Sequence, residues 1–291
     1  MKTKTPLSRI TLAACLLALA ACGQPEQETS AQAEPVVSDA PGISSDQNDI
    51  GGVVTSTNGP EAGVWVIAET DDLPTLYSKT VVTDEDGRYL IPDLPNAQYD
   101  IWVRGYGLVD SKKVNAVPGQ SLNLNAVIAP DAAAAADYYP AGNWYSLLEI
   151  PDKSEFPGTG ADGNGISPNI HNQADFMRRV SSGGCLACHQ LGNAAIRNIP
   201  GLFRGYDTSI EAWNRRVRSG QAGGSMSRAL AGMGDRALQM YADWTDRIVA
   251  GELPPVPDRP SGLERNVVIT QWDWADPTAY LHDLVSTDRR D

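Results

Sequence analysis

The sequence has little cysteine, little histidine and no excess of positive charge. Four cysteines and three histidines occur in 291 residues, and 23 basic side chains stand against 36 acidic ones. The formal net charge of −13 argues against nucleic acid or an anionic lipid surface as a partner. Beyond residue 21, no apolar stretch is long enough to cross a membrane as a helix. The few cysteines and histidines are therefore the residues whose positions carry the most information.

The first 21 residues resemble the export signal of a bacterial lipoprotein. Three basic residues precede a short apolar segment at residues 10–21, which leads into Cys22 in the order Leu-Ala-Ala-Cys. The resemblance implies that residues 1–21 are cleaved off and that Cys22 is acylated, and Gly23 favours the outer membrane. A single acyl chain anchors a protein only marginally, whereas several acyl chains on Cys22 would hold the protein stably in the membrane. Cys15 also ends a Leu-Ala-Ala-Cys sequence, but cleavage there would leave the signal almost no apolar core. An ordinary secretory signal is a second interpretation of the whole segment.

The chain changes character at about residue 49. Residues 22–48 contain almost no large apolar side chains, so we expect a disordered tether there. From residue 49 to residue 130, short β-type segments alternate with turns such as Asn58-Gly59-Pro60 and Asp84-Glu85-Asp86-Gly87. This spacing predicts an all-β sandwich of about seven strands.

The segments within residues 49–130 resemble those of a carboxypeptidase regulatory-like (transthyretin-like) domain. The matching segments are a Gly-Val first strand, Gly-Val-Trp-Val at 63–66, Thr-Asp-Glu-Asp-Gly-Arg-Tyr at 83–89, Leu-Pro at 94–95 and Tyr-x-Ile-x-Val at 99–103. The resemblance implies an immunoglobulin-like sandwich that serves as a spacer or binding module and carries no catalytic residues. The stretch also offers no nucleophile with a partnered base, so we assign no chemistry to it.

Residues 131–167 are predicted to be a linker that packs back onto a neighbouring domain. The linker starts with an alanine run and continues with aromatic residues such as Tyr139 and Trp144. Its glycines at 158, 160 and 163 match the dinucleotide-binding fingerprint by letters only, because no strand precedes them. We expect a loop there.

The most informative motif is Cys185-Leu186-Ala187-Cys188-His189, the attachment signature of a c-type haem. Residues three apart share one face of a helical turn, so both sulfurs can form thioethers to one porphyrin edge. His189 can then bind the iron as the proximal ligand. A thiol–disulfide redox pair needs a βαβ setting, and a structural zinc site needs four ligands; this stretch offers neither. The remaining alternative is a chance match of so short a motif.

Export and the cysteine count both favour one covalent haem c. In bacteria, c-type haem is attached on the far side of the inner membrane, where either kind of signal delivers the chain. Cys15 leaves with the signal, Cys22 takes lipid, and Cys185 and Cys188 take haem. No cysteine is left for a structural disulfide, although the compartment permits one.

Residues 168–252 resemble a class I cytochrome c in more than the motif. Asn172 can cap a first helix that ends at Gly183-Gly184, and Thr208 or Ser209 opens another. A helix that begins near Asp235 resembles the family's final helix. The resemblance implies that the aromatic residues of this helix pack across the first helix. These residues are Tyr241 and Trp244, and Phe176 is the expected contact.

The resemblance also implies a role for Pro200. In the family a proline carbonyl accepts the ring N–H of the proximal histidine, which here is His189, and so fixes the orientation of the ring. The family's glycine before this proline is Ile199 in this chain, which leaves the path of the loop open.

The sixth position on the iron has more than one candidate ligand. In the family a methionine on a loop before the last helix binds the iron and raises its reduction potential. Met226 is the preferred candidate and Met233 the rival, although the family's proline follows neither of them. His171 or His282 can also supply the ligand, or the site can be open. Any one of these methionines can instead fill apolar space.

The haem region is positively charged, unlike the chain as a whole. Residues 168–250 contain ten arginines, no lysine and six acidic residues. Five of the arginines are candidates for pairing with haem propionates or with an acidic redox partner: Arg204, Arg215, Arg216, Arg218 and Arg228. A solvated helix face explains the same pattern equally well.

Residues 253–291 are predicted to be a C-terminal extension. A proline-rich connector at 254–257 is followed by a strand at 267–274 and a short helix at 278–285. This segment has too little apolar sequence to form a core of its own.

These observations predict a multidomain chain in which an all-β sandwich precedes an all-α cytochrome c domain at residues 168–252. We expect a lipid-anchored periplasmic protein that carries single electrons through one haem to or from a partner protein, without enzymatic activity. Two further functions stay open. One is a haem-based sensor or ligand binder with an open sixth site, and the second is a sandwich binding module with an appended haem relay.

Overall fold

The computed structural model describes residues 46–181 and 184–273, apart from the side chains of Ala187 and Asp273. The predictions for Cys22, His282 and the helix at 278–285 lie outside the described residues. Within the described ranges, no helix combines the length and the apolar character needed to cross a bilayer.

Residues 50–128 form a β-sandwich of short strands. The strands of the chain are β1 (Ile50–Ser56), β2 (Gly59–Pro60), β3 (Trp65–Thr70), β4 (Leu76–Val82), β5 (Arg88–Ile91), β6 (Tyr99–Arg104), β7 (Leu108–Val109), β8 (Val114–Ala116), β9 (Leu124–Asn125), β10 (Val127–Ile128) and β11 (Ile269–Asp273). One sheet has the order β2-β1-β5 with β9 parallel to β1, the other has the order β11-β4-β3-β6-β8, and β10 pairs with β7. The predicted sandwich is confirmed, with more and shorter strands than the seven expected.

The sandwich core follows from alternation along the strands. On β3, Val66, Ala68 and Thr70 are buried, and the residues between them are only half-buried. The turn before β5 is closed by the Asp84 carboxylate, which accepts the backbone N–H groups of Asp86 and Arg88 at 2.9 and 2.8 Å. Side chains that alternate in this way place one apolar face of each strand against the opposite sheet.

The second half of the described chain is largely helical. Its helices are α1 (Ala132–Ala136), α2 (Ala141–Tyr145), α3 (Gln173–Val180), α4 (Ala194–Arg197), α5 (Ser209–Arg216), α6 (Gly223–Ala231) and α7 (Asp235–Val249), with short 3₁₀ turns at Lys153–Glu155, Cys185–Ala187, Gly201–Phe203 and Gly262–Asn266. The predicted caps are present. The Asn172 side chain accepts the N–H of Asp175 at 2.9 Å, and Thr208 accepts that of Glu211 at 3.3 Å.

Helix α7 supplies the centre of the helical core. Met240, Tyr241 and Trp244 are fully buried on one face, as their helical spacing predicts. The helix packs mainly against α5, whereas the expected packing was across α3. Phe176 of α3 shares the core cluster with Trp244, but its ring contact is Phe156, with ring centroids 6.0 Å apart.

The predicted linker is packed, and Trp144 is its central residue. The Trp144 indole N–H donates to the Ala136 carbonyl at 3.0 Å, and the Trp144 carbonyl accepts the indole N–H of Trp244 at 3.1 Å. The Arg197 guanidinium lies 4.1 Å from the centre of the Trp144 ring. These contacts join α2 to the helical core, so the prediction that the linker packs back is confirmed.

Residues 253–273, which we call the return segment, run back to the sandwich. Strand β11 pairs antiparallel with β4, and the Trp272 ring meets the Tyr77 ring edge-on at 4.6 Å. Upstream, the Arg259 guanidinium binds the buried Glu61 carboxylate at 2.6 Å and the Tyr106 carbonyl at 2.9 Å. The strand predicted at 267–274 is present as β11, and a segment with too little apolar sequence for its own core completes the edge of an existing sheet.

We expect Trp272→Ala to destabilise the sandwich by about 1–2 kcal/mol, because it removes an aromatic pair at the edge of the core. The matched control is Leu263→Ala in the same segment, since that side chain is 85% exposed. Urea unfolding followed by far-UV circular dichroism measures both variants. Equal midpoints for Trp272→Ala and the parent would show that the Trp272–Tyr77 pair adds nothing to the stability of the sheet.

Candidate functional site

The Cys185–His189 motif forms a tight turn directly after α3. Cys185–Ala187 is one 3₁₀ turn, and the Cys185 carbonyl accepts the backbone N–H groups of Cys188 at 3.2 Å and His189 at 2.8 Å. Gly184 allows this turn to lie against the end of α3, because a Cβ there would be 1.6 Å from the Arg179 carbonyl oxygen. The turn presents Cys185, Cys188 and His189 to one cavity.

That cavity has a volume of about 320 Å³ and mostly apolar walls. Its wall includes Trp213 of α5, Met226 of α6 and Tyr241 of α7. Further apolar wall residues are Leu191, Ile196, Val217, Ala229 and Leu230. The volume is at the lower end of the range usual for small-molecule and cofactor sites.

The two cysteines differ in their surroundings. Both are free thiols, but Cys185 is half-buried and packs against the helical core, whereas Cys188 is exposed. The Tyr241 hydroxyl donates to the Cys185 sulfur at 3.2 Å, and the Tyr241 ring stacks on Trp213 with centroids 5.2 Å apart. Burial raises the pKa of the Cys185 thiol and raises the pKa of Tyr241 well above its ordinary value. At neutral pH both groups are therefore protonated.

His189 and Arg216 lie on the wall of the same cavity. Burial lowers the pKa of His189, and the charge of Arg216 lowers it further. The imidazole is thus neutral at pH 7, which is the form that binds metals. The Arg216 guanidinium donates to the carbonyls of Ile196 and Asn198, each at 2.9 Å, and to that of Ala195. Burial lowers the pKa of Arg216 to about 10.

The candidate sixth ligands lie in different surroundings, and only one of those described lines the cavity. Met226 lines the cavity with His189, whereas Met233 is 1% exposed in the helical core and is not part of the cavity wall. The predicted loop around Met226 is wrong, because Met226 lies on α6 and its N–H donates to the Ala222 carbonyl at 2.9 Å. His171 is exposed ahead of α3 and away from the cavity wall.

Pro200 does not make the contact that the resemblance implies. Its carbonyl accepts the backbone N–H of Phe203 at 2.8 Å, at the start of the 3₁₀ turn Gly201–Phe203. Among the residues that the structure describes, no hydrogen bond joins Pro200 to His189. A carbonyl oxygen has two lone pairs, so the local turn leaves one of them for a second donor.

The arginines of the region fall into two groups. Arg216 lines the cavity, whereas Arg204, Arg215, Arg218 and Arg228 are exposed. The sequence indicates Arg216 only as one of five arginines, and it does not mark the Tyr241 hydroxyl or Trp213 as cavity residues. Trp213 and Arg216 are three apart on α5, and that spacing is the signal that could have placed both on one face.

The residues around the cavity suit a haem. Two thiols and a neutral imidazole lie on one turn, a thioether lies on α6, and an arginine stands among otherwise apolar walls. The two thiols can form the thioether bonds of a haem c, the imidazole and the methionine thioether can bind its iron, and the arginine can pair with one of its carboxylates. Within residues 46–181 and 184–273, the motif included, no three His, Cys, Asp or Glu side chains converge to hold a bare metal ion.

Comparison with known proteins bears on the sandwich. The family model described as "Carboxypeptidase regulatory-like domain" matches residues 49–129. No curated protein matches the chain. One similar solved structure is a chain of a type II cohesin–X-dockerin complex from Acetivibrio cellulolyticus, an N-terminal interface mutant. The two chains are 12% identical, the match covers 43% of this chain and 85% of that one, and the TM-score is 0.24. Residues 49–129 are thus a carboxypeptidase regulatory-like β-sandwich domain, followed by a largely helical C-terminal region.

Proposed function

We propose that residues 168–252 are a class I cytochrome c domain that holds one haem and that the protein carries single electrons. The observation that carries the proposal is the cavity in which Cys185, Cys188 and His189 meet Met226, although Met226 lies 37 positions after His189 in the chain. A chance Cys-x-x-Cys-His motif would have no reason to face an apolar cavity with a thioether in its wall.

Each residue of the cavity has a distinct part in this proposal. Cys185 and Cys188 would hold the haem by thioethers, and His189 and Met226 would bind its iron. When bound, the haem supplies a one-electron change at iron. The apolar walls from α5, α6 and α7 exclude water, and a methionine ligand raises the reduction potential.

Features in the rest of the chain support a cellular location for this domain. The lipoprotein-like signal supports a lipid anchor on the periplasmic side, with the outer membrane favoured, and residues 22–48 serve as a tether. The sandwich at residues 49–129 serves as a spacer, and the return segment ties it to the helical region through Arg259 and β11. The partner is another redox protein, and no enzymatic step is assigned to this chain.

A second candidate is a haem-based sensor or ligand binder with an open sixth site. The position of Met226 favours it, because the backbone there is fixed in α6 and lacks the freedom of a loop. In this version Met226 lines the distal wall without binding the iron.

The test is the absorbance of purified full-length protein made in a strain with haem-attachment machinery. We expect haem absorbance that survives denaturation, and a reduced-minus-oxidised spectrum typical of a six-coordinate c-type haem that carbon monoxide does not change. Carbon monoxide binding at neutral pH would support the sensor instead. Denatured protein without haem absorbance would refute both.

A further inference from the structure

Among the described arginines that are buried or half-buried, Arg216 differs from all the others. Each of the others has a carboxylate within 4.0 Å, as Arg197 has Asp137 and Arg236 has Glu155. Arg216 is half-buried, and no carboxylate of the described chain lies within that distance. A cation in an apolar wall is costly unless a counter-charge accompanies it.

The hydrogen bonds of Arg216 leave part of the guanidinium unused. A guanidinium has five N–H donors. Three of them go to the carbonyls of Ala195, Ile196 and Asn198, which fixes the group at the end of α4 and 4.9 Å from the centre of the Trp213 ring. The other two have no partner within the described ranges. The side chain is therefore held in place, charged at neutral pH, and still able to donate into the cavity.

We propose that Arg216 is the anion-binding residue of the cavity and takes one carboxylate of the bound haem. This inference rests on the proposed function and adds an orientation to it, since the propionate edge must then face the junction of α4 and α5. Guanidinium and carboxylate can form two parallel charge-assisted hydrogen bonds, and two donors are free. The exposed Arg215 on the same helix lines a separate surface depression with Asp207 and Glu211, so it cannot take this part.

The test uses the full-length chain with Cys185→Ala and Cys188→Ala, so that haem binds without covalent attachment. This chain is titrated with ferric haem and with haem dimethyl ester, which has the same ring but no carboxylates. We expect this chain to bind ferric haem about tenfold or more tightly than the dimethyl ester, because one charge-assisted hydrogen-bonded pair contributes at least that much to binding. Adding Arg216→Gln should abolish the preference, and the matched control Arg215→Gln should retain it.

Two outcomes would overturn the inference. One is an unchanged preference in Arg216→Gln. The other is an equal loss of affinity for both ligands, because Arg216 would then only hold residues 195–198 in place.

If the cysteine-free chain binds neither ligand, the covalent protein decides the question by its midpoint potential. Arg216→Gln should lower the potential, and Arg216→Lys should restore most of it because the charge is kept. Failure of the lysine variant to restore the potential would refute the inference. A wild-type chain without haem would instead refute the proposed function, so the two failures are distinguishable.

Discussion

Replacing both Cys185 and Cys188 by alanine is expected to remove all haem absorbance from the denatured protein. Each thioether is a covalent bond that survives unfolding, whereas axial ligation and apolar contacts are lost when the chain unfolds. The measurement is the pyridine haemochrome of protein denatured and freed of unbound haem. The expected change is complete loss in the double variant, against one haem per chain in the parent.

The single variants and a control sharpen this result. Cys185→Ala and Cys188→Ala should each keep one thioether and retain haem, with an α band shifted to longer wavelength because one vinyl group stays unsaturated. Leu186→Ala changes an exposed side chain between the two thiols and should retain both bonds. Haem that stays on the denatured double variant would mean that other residues attach it, and the motif would lose its assigned role.

The features predicted correctly from the sequence are those that depend on near neighbours. The turn of the Cys185–His189 motif, the caps at Asn172 and Thr208, and the buried face of α7 all follow from spacings of three or four residues. The sandwich was likewise predictable, because its strands alternate and are separated by turns such as the one at Asp84.

The errors arise where tertiary contacts override local signals. Gly223 and Gly224 are typical of the end of a helix, yet they begin α6. Gly223 is buried there, and a Cβ on it would lie 2.7 Å from the Arg218 carbonyl oxygen, so the glycine serves a close approach. Strand β11 pairs Ile269 with Thr80 across almost 190 residues, and no local pattern specifies such a partner.

Met226→Ala is expected to change the iron coordination with little effect on folding. Met226 is half-buried at the edge of the core, and its side chain lines the cavity that His189 also faces. Without the thioether, the sixth position is left to water or an added ligand. We expect loss of the methionine-to-iron charge-transfer band, a lower midpoint potential and new binding of carbon monoxide.

Met233→Ala is the matched control, because it removes the same side chain from a different environment. Met233 is 1% exposed and packs in the helical core, so its truncation should cost about 2–5 kcal/mol of stability and leave the charge-transfer band in place. Measured together, the band and the urea midpoint separate iron ligation from core packing. If the band persisted in Met226→Ala and disappeared in Met233→Ala, Met233 would be the iron ligand and Met226 a packing residue. A wild-type protein that lacks the band and binds carbon monoxide would place Met226 in the wall of an open site, since a side chain fixed on α6 can line the cavity without reaching the iron.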